Sequence, residues 1–179
     1  MMNKQEYTIS VFTENQVGLL ARIATVFSRR GINIESLNVS PTEIEGISRF
    51  TIVVEASQET VRKVSRQLQK LVEVIKVYYN TNEEIVWQEL ALFKIETNVV
   101  SEKFYVERIL RQYGATIVSV RNDYTVFTIV GHHEEIDRFL QLLEPHGLIE
   151  FIRSGRVAVI KSNEAFHKKL TALEKMAYQ

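Results

Sequence analysis

Short apolar runs alternate along the chain with stretches whose apolar residues recur every three or four positions. A period of two marks a half-buried strand, and a period near 3.6 marks an amphipathic helix. Tyr7 to Phe12 has the first pattern. Leu20, Ile23, Ala24 and Phe27 have the second, and Gly31 stands where a C-terminal cap would end that helix. A second strand is expected to begin at Ile32 and to carry Ile34, Leu37 and Val39. Pro41 to Gly46 is a turn segment, and Arg49 to Ala56 is a third strand with Phe50, Ile52 and Val54 on one face. Val61, Val64, Leu68 and Leu71 mark a second helix, and Val74 to Tyr79 a fourth strand. The predicted order is strand, helix, strand, strand, helix, strand.

The same order then recurs. Leu90 to Thr97 is a strand, Val106, Ile109, Leu110 and Tyr113 form a helical stripe, and Gly114 ends it. Thr116 to Val120 and Tyr124 to Val130 form a hairpin. Ile136, Phe139, Leu140 and Leu143 form another stripe, and Leu148 to Ile152 a last strand, with Arg156 to Lys161 extending the sheet. Asn15 to Gly31 is matched by Asn98 to Gly114 at the same separation, and Ser36 by Ser119 at the same offset, which supports a repeat. The copies differ where Gly18 corresponds to Ser101, and the second hairpin lacks the excursion from Ser40 to Ile47.

These patterns predict an α+β chain of two tandem ferredoxin-like βαββαβ domains, each with two helices over a four-stranded antiparallel sheet. The expected divisions are residues 1–80, a linker at 81–88, a second domain at 89–162 and a C-terminal helix at 163–179. In this topology the second strand is a sheet edge, and the apolar edge Ile32-Asn33-Ile34-Glu35-Ser36-Leu37 is a liability in a monomer. Pairing with the same edge of a second copy about a two-fold axis removes it, so a homodimer is expected. The last helix, capped by Asn163 and striped with Phe166, Leu170, Leu173 and Ala177, either packs on its own domain or is presented to a partner.

Composition narrows the functions. Of 179 residues, 45% are hydrophobic and 25% charged, as in a globular protein. The formal net charge is zero, without the basic surplus of a nucleic-acid binder, and Arg29-Arg30 suits a solvated helix end. The absence of cysteine removes disulfides, thiol catalysis and thiolate metal sites. The N-terminus lacks a signal-peptide core, and no apolar run approaches the roughly 18 residues of a membrane span, so the cytoplasm is expected. His132-His133 lie side by side in a predicted turn and make a poor metal pair. The sequence has no nucleophile elbow, phosphate loop or dinucleotide fingerprint, and no catalytic or metal-binding residue is assigned.

One constellation carries chemistry. Gly18 can adopt positive φ at the turn before the first helix and lets a ligand approach. Free amide groups at a helix N-terminus favour a carboxylate. Asn33 is polar in an apolar strand start, and its carbonyl could accept from an ammonium group. Val17, Leu19, Leu20 and Ile34 add apolar walls. A carboxylate anchor, an ammonium anchor and small apolar walls describe a free aliphatic amino acid, although a turn glycine and a strand-start asparagine also serve turns alone.

The stretch Glu14-Asn15-Gln16-Val17-Gly18-Leu19-Leu20-Ala21-Arg22-Ile23 resembles the opening of an ACT domain. Phe27-Ser28-Arg29-Arg30-Gly31-Ile32-Asn33-Ile34-Glu35-Ser36-Leu37-Asn38-Val39-Ser40-Pro41-Thr42-Glu43 is more specific. With Ser48-Arg49-Phe50-Thr51-Ile52, Gln67-Leu68-Gln69-Lys70-Leu71-Val72-Glu73-Val74, Glu89-Leu90-Ala91-Leu92-Phe93-Lys94-Ile95 and Arg153-Ser154-Gly155-Arg156-Val157-Ala158-Val159, it resembles the small subunits of acetolactate synthase, also called acetohydroxyacid synthase. The resemblance covers roughly residues 7 to 161. Residues Val99 to Tyr105 and Asn122 to Thr125 depart from the family pattern, and the helix at 163–179 runs past its usual end.

The resemblance implies a regulatory subunit with no catalytic site or cofactor of its own. Its partner would be a large catalytic subunit, on which thiamine diphosphate, magnesium and FAD are expected. It would raise that subunit's activity and confer feedback inhibition by valine or a related branched-chain amino acid. The effector would lie between two ACT domains, with Asn15, Gln16, Val17, Gly18, Leu19 and Leu20 of one chain facing Asn33 and Ile34 of the other. Neither nucleic acid nor membrane is implied as a partner. A stand-alone amino-acid-responsive transcriptional regulator is the alternative, since ACT-like domains serve there too, and an independent small enzyme is a third reading.

Overall fold

The structure is a computed structural model that describes residues 4–102 and 104–162. The expected helix at 163–179 lies outside the described residues. The chain forms two compact units. One runs to Trp87 and takes back the segment from Arg156, and the other is Gln88–Gly155.

The first unit contains β1 (Gln5–Glu14), α1 (Leu19–Ser28), β2 (Ser36–Pro41), β3 (Ile47–Ala56), α2 (Gln58–Leu68) and β4 (Val74–Thr81), with sheet order β2-β3-β1-β4 and antiparallel neighbours. This is the βαββαβ order the hydrophobic pattern predicts. Tyr7, Ile9 and Val11 of β1 and Phe50, Ile52 and Val54 of β3 bury one face, because side chains alternate along a strand. Val61, Val64 and Leu68 of α2 close the core over it. The buried stripe of α1 is Leu19, Ile23, Val26 and Phe27, so the stripe predicted through Leu20 is turned by about one position, which leaves Leu20 half exposed. After α1, Gly31 at φ 62 lets the Ile32 N–H return to the Phe27 carbonyl at 3.2 Å, a glycine cap of the expected kind.

Boundaries differ from the sequence expectation in several places. Residues from Arg156, expected in the second domain at 89–162, belong to the first unit. The second strand begins at Ser36, not Ile32. Ile32 and Ile34 are still spent on the core, but as a covalent run-in from the helix cap and not as strand pairs. Residues 81–88, expected as a linker, are regular. A short helical turn at Asn82–Glu84, closed by a reciprocal Thr81–Glu84 capping pair, leads straight into β5 (Ile85–Glu96).

The opposite face of the first sheet is polar yet buried, at Thr8, Ser10 and Thr51. It is covered from within the same unit. β9 (Val157–Ile160) pairs with β5, and the Lys161 N–H donates to the Glu84 carbonyl at 3.0 Å. Ile85, Trp87 and Ala158 form a small apolar cluster there. Arg49 donates to the Ser10 hydroxyl at 2.9 Å and to the Ala158 carbonyl at 2.7 Å. Arg156 is 2% exposed, and its guanidinium lies 3.6 Å from the Trp87 ring centre while donating to Thr8, Asn82 and Glu6.

The second unit repeats the plan. Most of β5, α3 (Thr97–Glu102), α4 (Phe104–Gln112), β6 (Thr116–Val120), β7 (Tyr124–Gly131), α5 (His133–Leu143) and β8 (Leu148–Arg153) give the order β6-β7-β5-β8. Ala91, Phe93 and Ile95 face Phe127 and Ile129, with Phe139 packed edge-on to Phe93 at 4.7 Å. Gly114, also at φ 62, ends α4 through a bond from the Ala115 N–H to the Leu110 carbonyl, the same geometry as at Gly31.

Candidate functional site

The turn between β1 and α1 is open. The Asn15 N–H donates to the Gly46 carbonyl at 2.9 Å, which fixes where the turn leaves the sheet. The Gln16 amide donates to the Glu14 carboxylate at 3.0 Å. Val17 is fully exposed. Gly18 takes φ 83 as the residue before the helix, with no side-chain cap and no acidic residue in the first turn of α1. The first turn of a helix leaves backbone N–H groups without intrahelical partners, at its positive end. Among the described residues, neither a capping side chain nor an acidic residue of that first turn faces those groups. Nothing lies within 4 Å of where a Cβ on Gly18 would sit, so the glycine is required by backbone conformation and not by crowding. Leu19 is buried and ties the turn to the core, while Leu20 stands beside it half exposed.

The other predicted site residues lie elsewhere. Asn33 is exposed, and its amide donates to Glu35 at 2.8 Å. Ile34 is partly buried against the core. Glu35 anchors the segment through its N–H to the Val53 carbonyl at 2.9 Å. Sequence reasoning passed over Glu35, although a carboxylate two positions after Asn33 is visible as a second acceptor for an ammonium group.

Strand register fixes the distance between the two halves. Ser36 pairs with Val53, and Val53 with Thr8. The Asn33–Ile34 segment thus enters the sheet level with Thr8, six residues before Glu14. At about 3.3 Å per residue, that is roughly 20 Å from the Asn15–Leu20 turn, at the opposite end of the sheet. One chain cannot close both halves around one small molecule.

In the second unit the residues matching this turn are helical. Asn98 to Ser101 lie in α3, which follows β5 directly. Its start is held by the Thr97 hydroxyl, which donates to the Arg121 carbonyl at 2.7 Å. The copy without the turn glycine has no open turn.

His132 and His133, expected in a solvated turn, begin α5. His132 caps the helix reciprocally with Glu135. His133 is 3.2 Å from the buried Glu89 and 3.3 Å from Asp137, and Arg153 bridges to Asp137. The hydrogen bond from Arg153 holds the Asp137 carboxyl below the usual range against the opposing effect of desolvation. No side-chain nucleophile is placed against His133 in the hydrogen bonds of the described residues, so this network ties β8 to α5 without assembling catalytic groups. Among the described residues no group of three or more potential ligands could hold a metal ion.

Comparison with known proteins agrees with both halves of the chain. Residues 9–76 match the family model of the ACT domain of small subunits of acetohydroxyacid synthase (AHAS), and residues 88–162 match that of the small subunit of acetolactate synthase. A probable acetolactate synthase small subunit of Archaeoglobus fulgidus is 39% identical over 159 residues, covering 89% of this chain and 99% of that one. The acetolactate synthase small subunit of Bacillus subtilis is 35% identical, covering 87% and 91%. The crystal structure of the acetolactate synthase small subunit from Thermotoga maritima superposes with a TM-score of 0.80 at 30% identity, over 89% of this chain and 99% of that one. Because the matches run through both domains, the chain belongs to the family of acetolactate synthase small subunits, the regulatory and not the catalytic subunits of that enzyme.

Proposed function

We propose that this chain binds the thiamine-diphosphate-dependent catalytic subunit of acetolactate synthase, raises its activity, and makes it subject to feedback inhibition by valine or a related branched-chain amino acid. It works as a homodimer in the cytoplasm. The thiamine diphosphate, magnesium and FAD belong to the catalytic subunit. Neither family match is to a transcriptional regulator, which leaves that alternative without support.

The observation that carries the reading is the register. β1 and β2 run in the same direction, since each is antiparallel to β3. The turn after β1 and the segment before β2 therefore sit at opposite ends of one sheet. If β2 pairs antiparallel with β2 of a second copy, the partner strand runs the other way. Its run-in, the partner's Asn33 and Ile34, then lies at the same end as Asn15–Leu20 of the first chain. A two-fold edge pairing thus builds two sites, each with a helix N-terminus from one chain and an asparagine from the other. The N–H groups after Gly18 receive the carboxylate, Asn33 and Glu35 receive the ammonium, and Val17, Leu20 and Ile34 receive the aliphatic side chain.

Titration calorimetry with the purified chain, followed by activity of the reconstituted complex with and without valine, tests this. Valine should bind at one site per chain-pair interface half and lower the activity of the complex, and Gly18→Asp should abolish both effects. Valine-independent activity together with no heat at millimolar valine would sink the proposal.

A further inference from the structure

The helical layer of the first unit carries a stripe of positive charge. Lys63, Arg66, Gln67 and Lys70 follow the helical spacing i, i+3, i+4, i+7 along α2 and just beyond it. The other side of the same helix is spent on the core through Val61, Val64, Ser65 and Leu68. Arg30, just past the end of α1, joins the stripe by donating to the Gln67 side-chain carbonyl at 3.0 Å. Together these residues line one open groove. Arg30 is held there by a neutral partner, so its charge is positioned without being neutralised. Among the described residues only Lys63 of this group has a carboxylate at ion-pair distance, Glu59.

The whole chain has equal numbers of cations and anions, so this concentration is local. Arg66 and Lys70, four positions apart, repel each other on the helix surface. The groove lies near the C-terminal ends of both helices, where the backbone offers carbonyls and not N–H groups. It has no glycine-rich loop and no aromatic platform among its lining residues. An enclosed phosphate site or a base-stacking surface needs those features. A broad acidic surface on another protein needs only the charge.

We propose that this stripe is the surface on which the first unit docks an acidic face of the catalytic subunit. The assignment rests on the reading above that the chain acts bound to that subunit. Opposed charge of this kind acts mainly on the association rate and is screened by salt.

The test measures binding of the full chain to the purified catalytic subunit at several salt concentrations. Wild type, R66E/K70E, and the control R108E/R111E, which makes the same net-charge change on α4, are compared. Circular dichroism confirms that each is folded. Wild-type affinity should fall as salt rises. R66E/K70E should bind at least tenfold more weakly at low salt, mostly through slower association, with a flatter salt dependence, while the control binds within threefold of wild type. R66E/K70E binding with wild-type affinity and salt slope overturns the docking surface while leaving the functional reading intact. Equal loss in the control overturns it in favour of net charge alone. Binding of inorganic phosphate or an oligonucleotide that only R66E/K70E loses, with subunit binding unchanged, reassigns the stripe. Failure of the wild-type chain itself to bind overturns the functional reading, and this assignment with it.

Discussion

Arg156 offers the sharpest energetic test of the fold. It is buried, and its guanidinium stacks 3.6 Å from the Trp87 ring centre while donating to Thr8 and Asn82 at 2.9 Å and to Glu6 at 2.7 Å. In Arg156→Ala the desolvated cation–π contact, worth about 2 kcal/mol, is lost. The Thr8 hydroxyl, itself only 2% exposed, loses a partner, at a further cost of about 1 kcal/mol. Breaking a buried ion pair costs about 3–5 kcal/mol when the remaining charge stays buried. Glu6 is 38% exposed on its side chain and can rehydrate, so the expected loss lies near the bottom of that range, about 3 kcal/mol. Arg156→Lys keeps the charge but neither stacks flat nor reaches three acceptors, and should be less stable than wild type but more stable than Arg156→Ala. Trp87 is the only tryptophan, so its emission reports on the contact directly. Urea unfolding followed at Trp87 should show both losses, with a red-shifted native spectrum for Arg156→Ala. An unfolding free energy within about 0.5 kcal/mol of wild type, the range of a neutral surface change, with unshifted emission would refute the reasoning.

Other outcomes follow from the same geometry. Gly18→Ala, at φ 83 with open space around it, should cost about 1–2 kcal/mol from backbone conformation alone. Thermal unfolding checks that value, and calorimetry should still detect valine, in contrast to Gly18→Asp. Val39→Lys places a charge on the exposed β2 edge, and sedimentation should show the proposed homodimer dissociating, with valine binding lost and monomer stability changed by less than about 0.5 kcal/mol. Asp137 is held below its ordinary value by Arg153, so its stabilising contribution is present above about pH 4 and is lost as pH falls through the lowered folded value. Asp137→Asn should therefore be less stable at pH 7 and lose less on acidification, measured by urea midpoints from pH 7 to pH 3.

Much of this fold is legible in the sequence because each element has one dominant burial pattern. Phe50, Ile52 and Val54 alternate, and Val61, Val64 and Leu68 recur at helical spacing, so strand and helix are named correctly. The legible part ends where an apolar residue serves something other than a regular element. Ile32 and Ile34 are apolar because the run-in from Gly31 crosses the core, and periodicity alone mistakes them for strand. Thr8 and Ser10 look like a solvated face, since nothing local announces that residues from Arg156 onward will cover them. Contacts at that sequence distance leave no periodic trace. His133 likewise takes its partners from Glu89 and Arg153, far along the chain.

The candidate site has the same split. Its chemistry is local and readable: a glycine that must be left-handed, an uncapped helix start, and an asparagine in apolar company. Its geometry is not local. Only the register through Ser36, Val53 and Thr8 shows that the two pieces lie at opposite ends of one sheet. The second unit supplies the contrast within one molecule. It has the same topology, but its matching residues pass from β5 into α3 without a left-handed turn, and its bulged β6 edge has no counterpart to Asn33 ahead of it. If edge pairing of this fold by itself created an amino-acid site, both units would bind the effector. Because the turn glycine and the asparagine occur together only in the first, a chain carrying Gly18→Asp should retain no valine site at all, and residual stoichiometric binding would refute the assignment of the effector to the Gly18 turn.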